Sequence, residues 1–259
     1  MPALLKGALL SGALLLLFAA TAPAQSARHS IRKAGDPQIA AGNLPGCLGG
    51  SLTDPRPYMR EFHATILRLV VAQGNWHGNA GEALPCVSAA HAEGYKVELV
   101  IEWASRWKTK TVRWFFRREL RLYRYYANSV AVGDEQEIVR PNMSASKYVS
   151  MWRAVEPEIK RLAPWAVRIG GEISPWGFKD LQQELRSGLP GIQAVAVHPY
   201  RFSYGYTVAE ALALARSYHL PLWCDEGLQA GPDSWPSISR TIPLYGMRGV
   251  AVAGVWDRR

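Results

Sequence analysis

Acidic residues are scarce in this 259-residue chain: 21 aspartates and glutamates stand against 30 lysines and arginines, a formal charge of +9. That balance disfavours a cationic partner and favours an acidic polysaccharide, an anionic envelope surface or nucleic acid. Cysteine is scarcer still. Cys47, Cys86 and Cys224 share no Cys-x-x-Cys spacing, so the common zinc patterns are absent. There is no Gly-x-Ser-x-Gly elbow and no His-Glu-x-x-His helix, which removes the usual serine and zinc hydrolase signatures. No Gly-x-Gly-x-x-Gly turn follows the first strand-like run, which argues against an open dinucleotide-binding sheet. Nothing in the pattern calls for a metal or another cofactor. After residue 24 no stretch is long and apolar enough to span a bilayer.

The first residues are not read as fold. Met1 to Lys6 carries one positive charge, Gly7 to Ala20 is apolar and leucine-rich, and Ala22-Pro23-Ala24 follows. That order predicts a secretory signal peptide, residues 1–24. Its apolar run is short of the about 20 residues that a spanning helix needs. Removing it leaves 259 − 24 = 235 residues, enough for one large domain. Export places the chain in the periplasm or outside the cell, argues against nucleic acid and stable membrane insertion, and permits a disulfide. Cys47 and Cys86 lie in loop-like contexts and Cys224 in a strand-like run, so Cys47 with Cys86 is the expected pair. Residues 25–45 are polar, basic and punctuated by proline and glycine, which reads as a flexible N-terminal segment. Residues 46–259 read as one domain, and a monomer is expected.

In that domain short apolar, β-branched runs alternate with helical stretches. The predicted strands are 65–72, 96–103, 129–133, 166–170, 194–198, 221–225 and 250–256, with an eighth near 40–52. The predicted helices are 80–93, 111–126, 146–162, 179–186 and 207–219. Several strands are apolar on both faces, the mark of parallel strands covered on both sides. The alternation implies βαβ units and an α/β fold, a single compact (β/α)8 barrel of the TIM type.

Polar and aromatic residues gather at the C-terminal ends of these strands: Gln73, Asn75 and Trp76 after the strand that carries Arg68, then Glu102-Trp103, Gly133-Asp134-Glu135, Glu172, His198-Pro199-Tyr200, Asp225-Glu226-Gly227 and Trp256. In a barrel those ends converge on the face where active sites are built. Glu135 and Glu226 are 226 − 135 = 91 residues apart, about three βα units of roughly 30 residues, which sets them across the mouth from each other. Two facing carboxylates suit glycosidic cleavage: one protonates the leaving oxygen, the other attacks the anomeric carbon or activates water.

These motifs, in this order, resemble the clan A glycoside hydrolases, retaining barrels with catalytic glutamates at the ends of strands four and seven. Gly133-Asp134-Glu135-Gln136 resembles the family's Gly-Asn-Glu-Pro, Asp225-Glu226-Gly227 its Thr-Glu-x-Gly, and His198-Pro199-Tyr200 its His-x-Tyr. The resemblance implies Glu135 as general acid/base, Glu226 as nucleophile and Arg68 as the cation that orients Glu226. It implies that His198 and Tyr200 contact the carboxylates and the sugar, and that Trp256 floors the subsite where the bond breaks. The chain departs at Asp134, where the family has asparagine: an ionised aspartate cannot donate to a sugar hydroxyl. It would also repel Glu135, which suits a general acid.

Each residue also has a plainer reading. Glu226 and Arg68 make an ordinary buried ion pair, and His198 a satisfied core histidine. Trp76, Trp103, Trp107 and Trp176 serve either as sugar-stacking platforms or as loop packing. The arginine- and aromatic-rich segment 113–126 reads as an outer barrel helix with Phe115, Phe116, Leu120, Tyr123 and Tyr126 inward. The function expected is cleavage of an internal β-glycosidic bond in a polysaccharide or oligosaccharide, an anionic one fitting the charge. The alternative is a catalytically silent barrel that binds glycan or an envelope partner.

Overall fold

The computed structural model describes residues 38–42, 54–61, 65–72, 81–138, 143–174, 176–198, 208–224 and 249–252. All of them fall in the compact unit Gly35–Arg259. Eight strands are described: β1 (Gln38–Gly42), β2 (Ile66–Ala72), β3 (Lys96–Glu102), β4 (Ala127–Val132), β5 (Val167–Ile173), β6 (Ala194–Val197), β7 (Leu222–Cys224) and β8 (Gly249–Val252). The helices are α1 (Arg56–Glu61), α2 (Leu84–Ala92), α3 (Thr109–Tyr123), α4 (Ala145–Leu162), α5 (Phe178–Ser187) and α6 (Val208–Ser217). Each strand pairs in parallel with the next, and β1 also pairs with β8. The architecture is a curled parallel sheet with helices in the connections.

Strands β2 to β6 are largely buried on both faces because alternate side chains serve different neighbours. Leu67, Leu69, Leu99, Ile101, Val130 and Val132 pack with helix residues such as Phe115, Phe116 and Trp152. The intervening Val70, Val100, Ala131, Ile169, Ala194 and Ala196 form a separate apolar cluster on the inner face. Burying each Val or Leu contributes about 1.5–3 kcal/mol.

Helix α3 turns Val112, Phe115, Phe116, Leu120 and Tyr123 inward at a spacing of three and four; Tyr126, expected on the same face, lies past the helix end and is partly buried, while Trp114 and Arg118 face out. Helix α4 starts at Ser144, whose hydroxyl accepts the N–H of Lys147. Between α3 and α4, buried Glu158 takes Arg113, Arg117 and Arg161. Burial by itself would raise its carboxyl, but the three guanidiniums outweigh that and hold it at about 2.

Several elements differ from the sequence-based expectation. Helix α1 was not among the predicted helices; its Pro57 lies in the first turn, where proline is tolerated because the N–H groups there have no partner in the helix. Strand β1 lies at Gln38–Gly42, ahead of residue 46 and near the start of the expected range. In addition, β5 runs three residues further than predicted, through Gly171 and Glu172 to Ile173, with a register shift against β6.

Cys86 is buried in α2 rather than in a loop, and it is disulfide-bonded. Cys224 is a buried free thiol. Cys47 lies outside the described residues.

Candidate active site

Among the described residues, β2, of which Arg68 is the third residue, and the C-terminal ends of β4, β5 and β6 bring five polar side chains together. Arg68 lies two residues before Val70 in β2, which puts it on the same inner face as that residue's apolar cluster. Its side chain is fully buried, and Nη2 donates to Asp134 Oδ1 at 3.0 Å and to Glu172 Oε2 at 2.9 Å. His198, directly after β6, is also fully buried. Its Nδ1 lies 3.0 Å from Glu135 Oε1 and its Nε2 lies 3.2 Å from Glu172 Oε2. Asp134 Oδ1 is 3.8 Å from the same Nε2.

Backbone conformation aims these side chains. Gly133 after β4 has φ +84°, and Glu135 follows at φ +45°. In β5, Gly171 at φ +94° and Glu172 at φ +50° form the register shift that turns Glu172 toward the site. A Cβ at Gly171 would lie 2.7 Å from the carbonyl oxygen of Ala196, so glycine is required there twice over. The amide of Glu135 donates to the carbonyl of Glu172 at 2.7 Å, joining the two turns.

Glu137 has a separate task. Its Oε1 accepts the N–H of Ser174 at 2.5 Å, which ties the segment after β4 to the end of β5. Burial pushes the Glu137 carboxyl up, and its hydrogen bond with Ser174 partly offsets this. A Cβ at Gly177 would stand 2.5 Å from that same Oε1, so the fit admits only glycine.

Among the described residues the site combines one guanidinium and one imidazole with three carboxylates. Asp134, Glu172 and His198 present ligand atoms within 4.8 Å of one another, a spacing a metal ion could bridge. Arg68 Nη2, however, already bridges Asp134 and Glu172, so a dication there would sit against a buried guanidinium. The donor set fits an ion-paired carboxylate cluster better than a metal centre.

Of the residues that the sequence singles out, Arg68, Asp134, Glu135 and His198 are brought together. Asp134 does more than repel Glu135, because Arg68 offsets its charge. Glu226, Tyr200 and Trp256 lie outside the described residues. Trp103 is 1% exposed and packs in the main core, so its ring offers no open face for stacking. Trp107 packs edge-on against Phe115, whereas Trp176 is 63% exposed. The sequence reading undervalued Glu172, which touches both Arg68 and His198. Its available signal was Gly170-Gly171 at the end of an otherwise β-branched strand, the kind of glycine that marks a bulge.

No family model and no curated protein matches this chain. Solved structures do. A family 39 glycoside hydrolase from Bacteroides cellulosilyticus WH2 superposes with a TM-score of 0.61 at 12% identity, over 83% of this chain and 56% of that one. This chain therefore spans little over half the length of that neighbour. The glycoside hydrolase family 53 catalytic domain of Ignisphaera aggregans gives 0.55 at 14% identity, over 85% and 84% of the two chains. A phospho-2-dehydro-3-deoxyheptonate aldolase of Thermotoga maritima gives 0.52 at 14% identity, over 84% and 58%. A likeness shared with hydrolases and an aldolase speaks to fold, and the chemistry has to be argued from the site.

Proposed function

We propose that this chain is an exported retaining glycoside hydrolase or transglycosylase on a single (β/α)8 barrel, acting on an internal β-glycosidic bond of a polysaccharide. Residues 1–24 act as its signal peptide, and Cys47 is the partner of Cys86. The observation that carries the reading is the setting of Glu135. Its carboxyl stands at the C-terminal end of the sheet, bonded to a buried imidazole and part-exposed at 19%. The glycoside hydrolases among its structural neighbours support the choice of chemistry.

In this reading Glu135 gives its proton to the glycosidic oxygen as the C1–O bond breaks, and the Glu226 carboxylate bonds to C1. Water then attacks C1, losing its proton to Glu135 as the bond to Glu226 breaks. Trp176 offers an exposed ring to a sugar face, and Tyr200 and Trp256 complete the subsite. Arg68 holds Asp134 and Glu172.

The test is turnover on a panel of neutral and acidic glycans. Glu135→Gln and Glu226→Gln should each abolish cleavage while binding persists. Azide should restore a Glu226→Gly variant and give a glycosyl azide of inverted configuration. Wild-type turnover that survives both substitutions would sink the assignment. A second reading, a glycan-binding barrel without turnover, is favoured by Asp134: it stands where the family has asparagine, and Arg68 holds it. Calorimetric binding without hydrolysis across pH would select that reading.

A further inference from the structure

We propose that Glu172 is a positioning residue that keeps His198 doubly protonated, so that His198 donates to Oε1 of Glu135 and leaves Oε2 as the oxygen that gives and takes the proton. This rests on the reading of Glu135 as acid/base.

The argument starts from the imidazole. Each of its nitrogens faces a carboxylate oxygen, Glu135 Oε1 at 3.0 Å and Glu172 Oε2 at 3.2 Å. A neutral imidazole has one N–H and one lone pair, so one of the two contacts would set a lone pair against an oxygen lone pair unless a carboxyl proton intervened. The imidazolium donates at both nitrogens and satisfies both contacts. The described charged groups around His198 are Arg68 from β2, Asp134 and Glu135 after β4, and Glu172 from β5, three carboxylates to one guanidinium. Neighbouring carboxylates favour the charged form of the ring.

The proton count follows. In the acid state Oε1 of Glu135 accepts from Nδ1–H and Oε2 holds the proton. Transfer of that proton to the leaving oxygen makes Glu135 a carboxylate that still accepts from Nδ1–H. Proton abstraction from water returns the first state, and His198 keeps both protons throughout. Glu172 therefore acts on Glu135 without touching substrate. Its backbone carbonyl also accepts the Glu135 amide at 2.7 Å, which holds the carboxyl in register with the ring.

The experiment has two arms. In the first, the full mature chain is labelled with 15N-histidine and titrated by NMR; loss of one resonance in His198→Asn assigns the ring among the six histidines. The wild-type His198 should show two protonated nitrogens at pH 7, and Glu172→Gln should show one, with Glu172→Asp restoring the second. A neutral wild-type ring at pH 7 overturns the proposal, and so does a ring whose titration Glu172→Gln leaves unmoved. Once the resonance is assigned, the wild-type protonation state is read without any Glu172 variant, so a Glu172 variant that fails to fold cannot shield the idea.

The second arm is kinetic. Glu172→Gln should lower kcat about 100-fold on a substrate whose leaving group needs protonation, and far less on a dinitrophenyl glycoside, whose leaving group does not. Equal losses on both substrates would mean a structural role only, and would overturn the proposal. If the wild type cleaves nothing, the acid/base reading falls, while the NMR arm still decides whether Glu172 governs His198.

Discussion

The carbonyl of Glu172 and the amide of Glu135 meet at 2.7 Å with both residues at positive φ. Two non-glycine residues in that region cost on the order of 1–3 kcal/mol each. They persist because Gly133 and Gly171 supply the tight turns beside them, and because His198 and Arg68 hold their side chains. The strain is stored where two strand ends exchange a hydrogen bond, next to the carboxyl assigned to the chemistry.

Gly171→Ala tests that geometry. The new Cβ would have to enter a φ of +94° and displace the Ala196 carbonyl 2.7 Å away. Chemical denaturation should show a loss of roughly 1–3 kcal/mol. A change within a few tenths would mean that β5 does not turn as described.

Arg68→Met tests the ion-paired cluster. It keeps a long side chain but removes the cation between Asp134 and Glu172. The expected cost is about 3–5 kcal/mol, since it leaves buried carboxylates uncompensated. The loss should be larger at pH 8 than at pH 5, where carboxylates take up protons more readily. Arg68→Lys should recover part of it, because a point charge replaces the two-way fork. Urea denaturation at the two pH values checks both statements, and an equal loss at each would count against the pairing.

Glu184→Gln tests a buried acid behind the site. Burial pushes the Glu184 carboxyl well up, and the charges of Glu137 and Asp180 push it further. Its Oε2 has no hydrogen-bond partner. A carboxyl raised in the folded state favours folding below its unfolded value, near 4.3, and loses that advantage as pH rises toward its folded value. The neutral glutamine escapes this penalty. The Tm of the variant should match the wild type near pH 4 and exceed it at pH 8. A variant less stable than the wild type at pH 8 would reverse the expected sign.

Much of the fold was legible. β2, β3 and β6 begin or end within a residue or so of their sequence-based positions, because β-branched runs buried on both faces leave a strong pattern. Helices α2 to α6 were legible for a similar reason, with apolar residues at three and four spacing. What was missed was local: helix α1 with a proline in its first turn, and glycines in β5 that resemble a strand end but form its bulge. Of the site, Asp134, Glu135 and His198 could be named from their places at strand ends, and Arg68 from the resemblance. Their partners could not. Arg68 was matched to Glu226 by resemblance, while among the described residues it bonds Asp134 and Glu172.

By itself, then, the sequence determined the α/β alternation and which residues stand at the C-terminal ends of the strands, since periodicity and chain order are local properties. Only the tertiary structure decided that Glu172 joins the site, that Trp103 is enclosed, and that His198 stands between two carboxylates. Those facts depend on which strand end lies beside or across from which, and on a backbone turn at Gly171 that is set by the carbonyl of Ala196 on the neighbouring strand. A contact between residues 135 and 198 closes a loop of 198 − 135 = 63 residues, and no local pattern encodes which atoms meet when it closes.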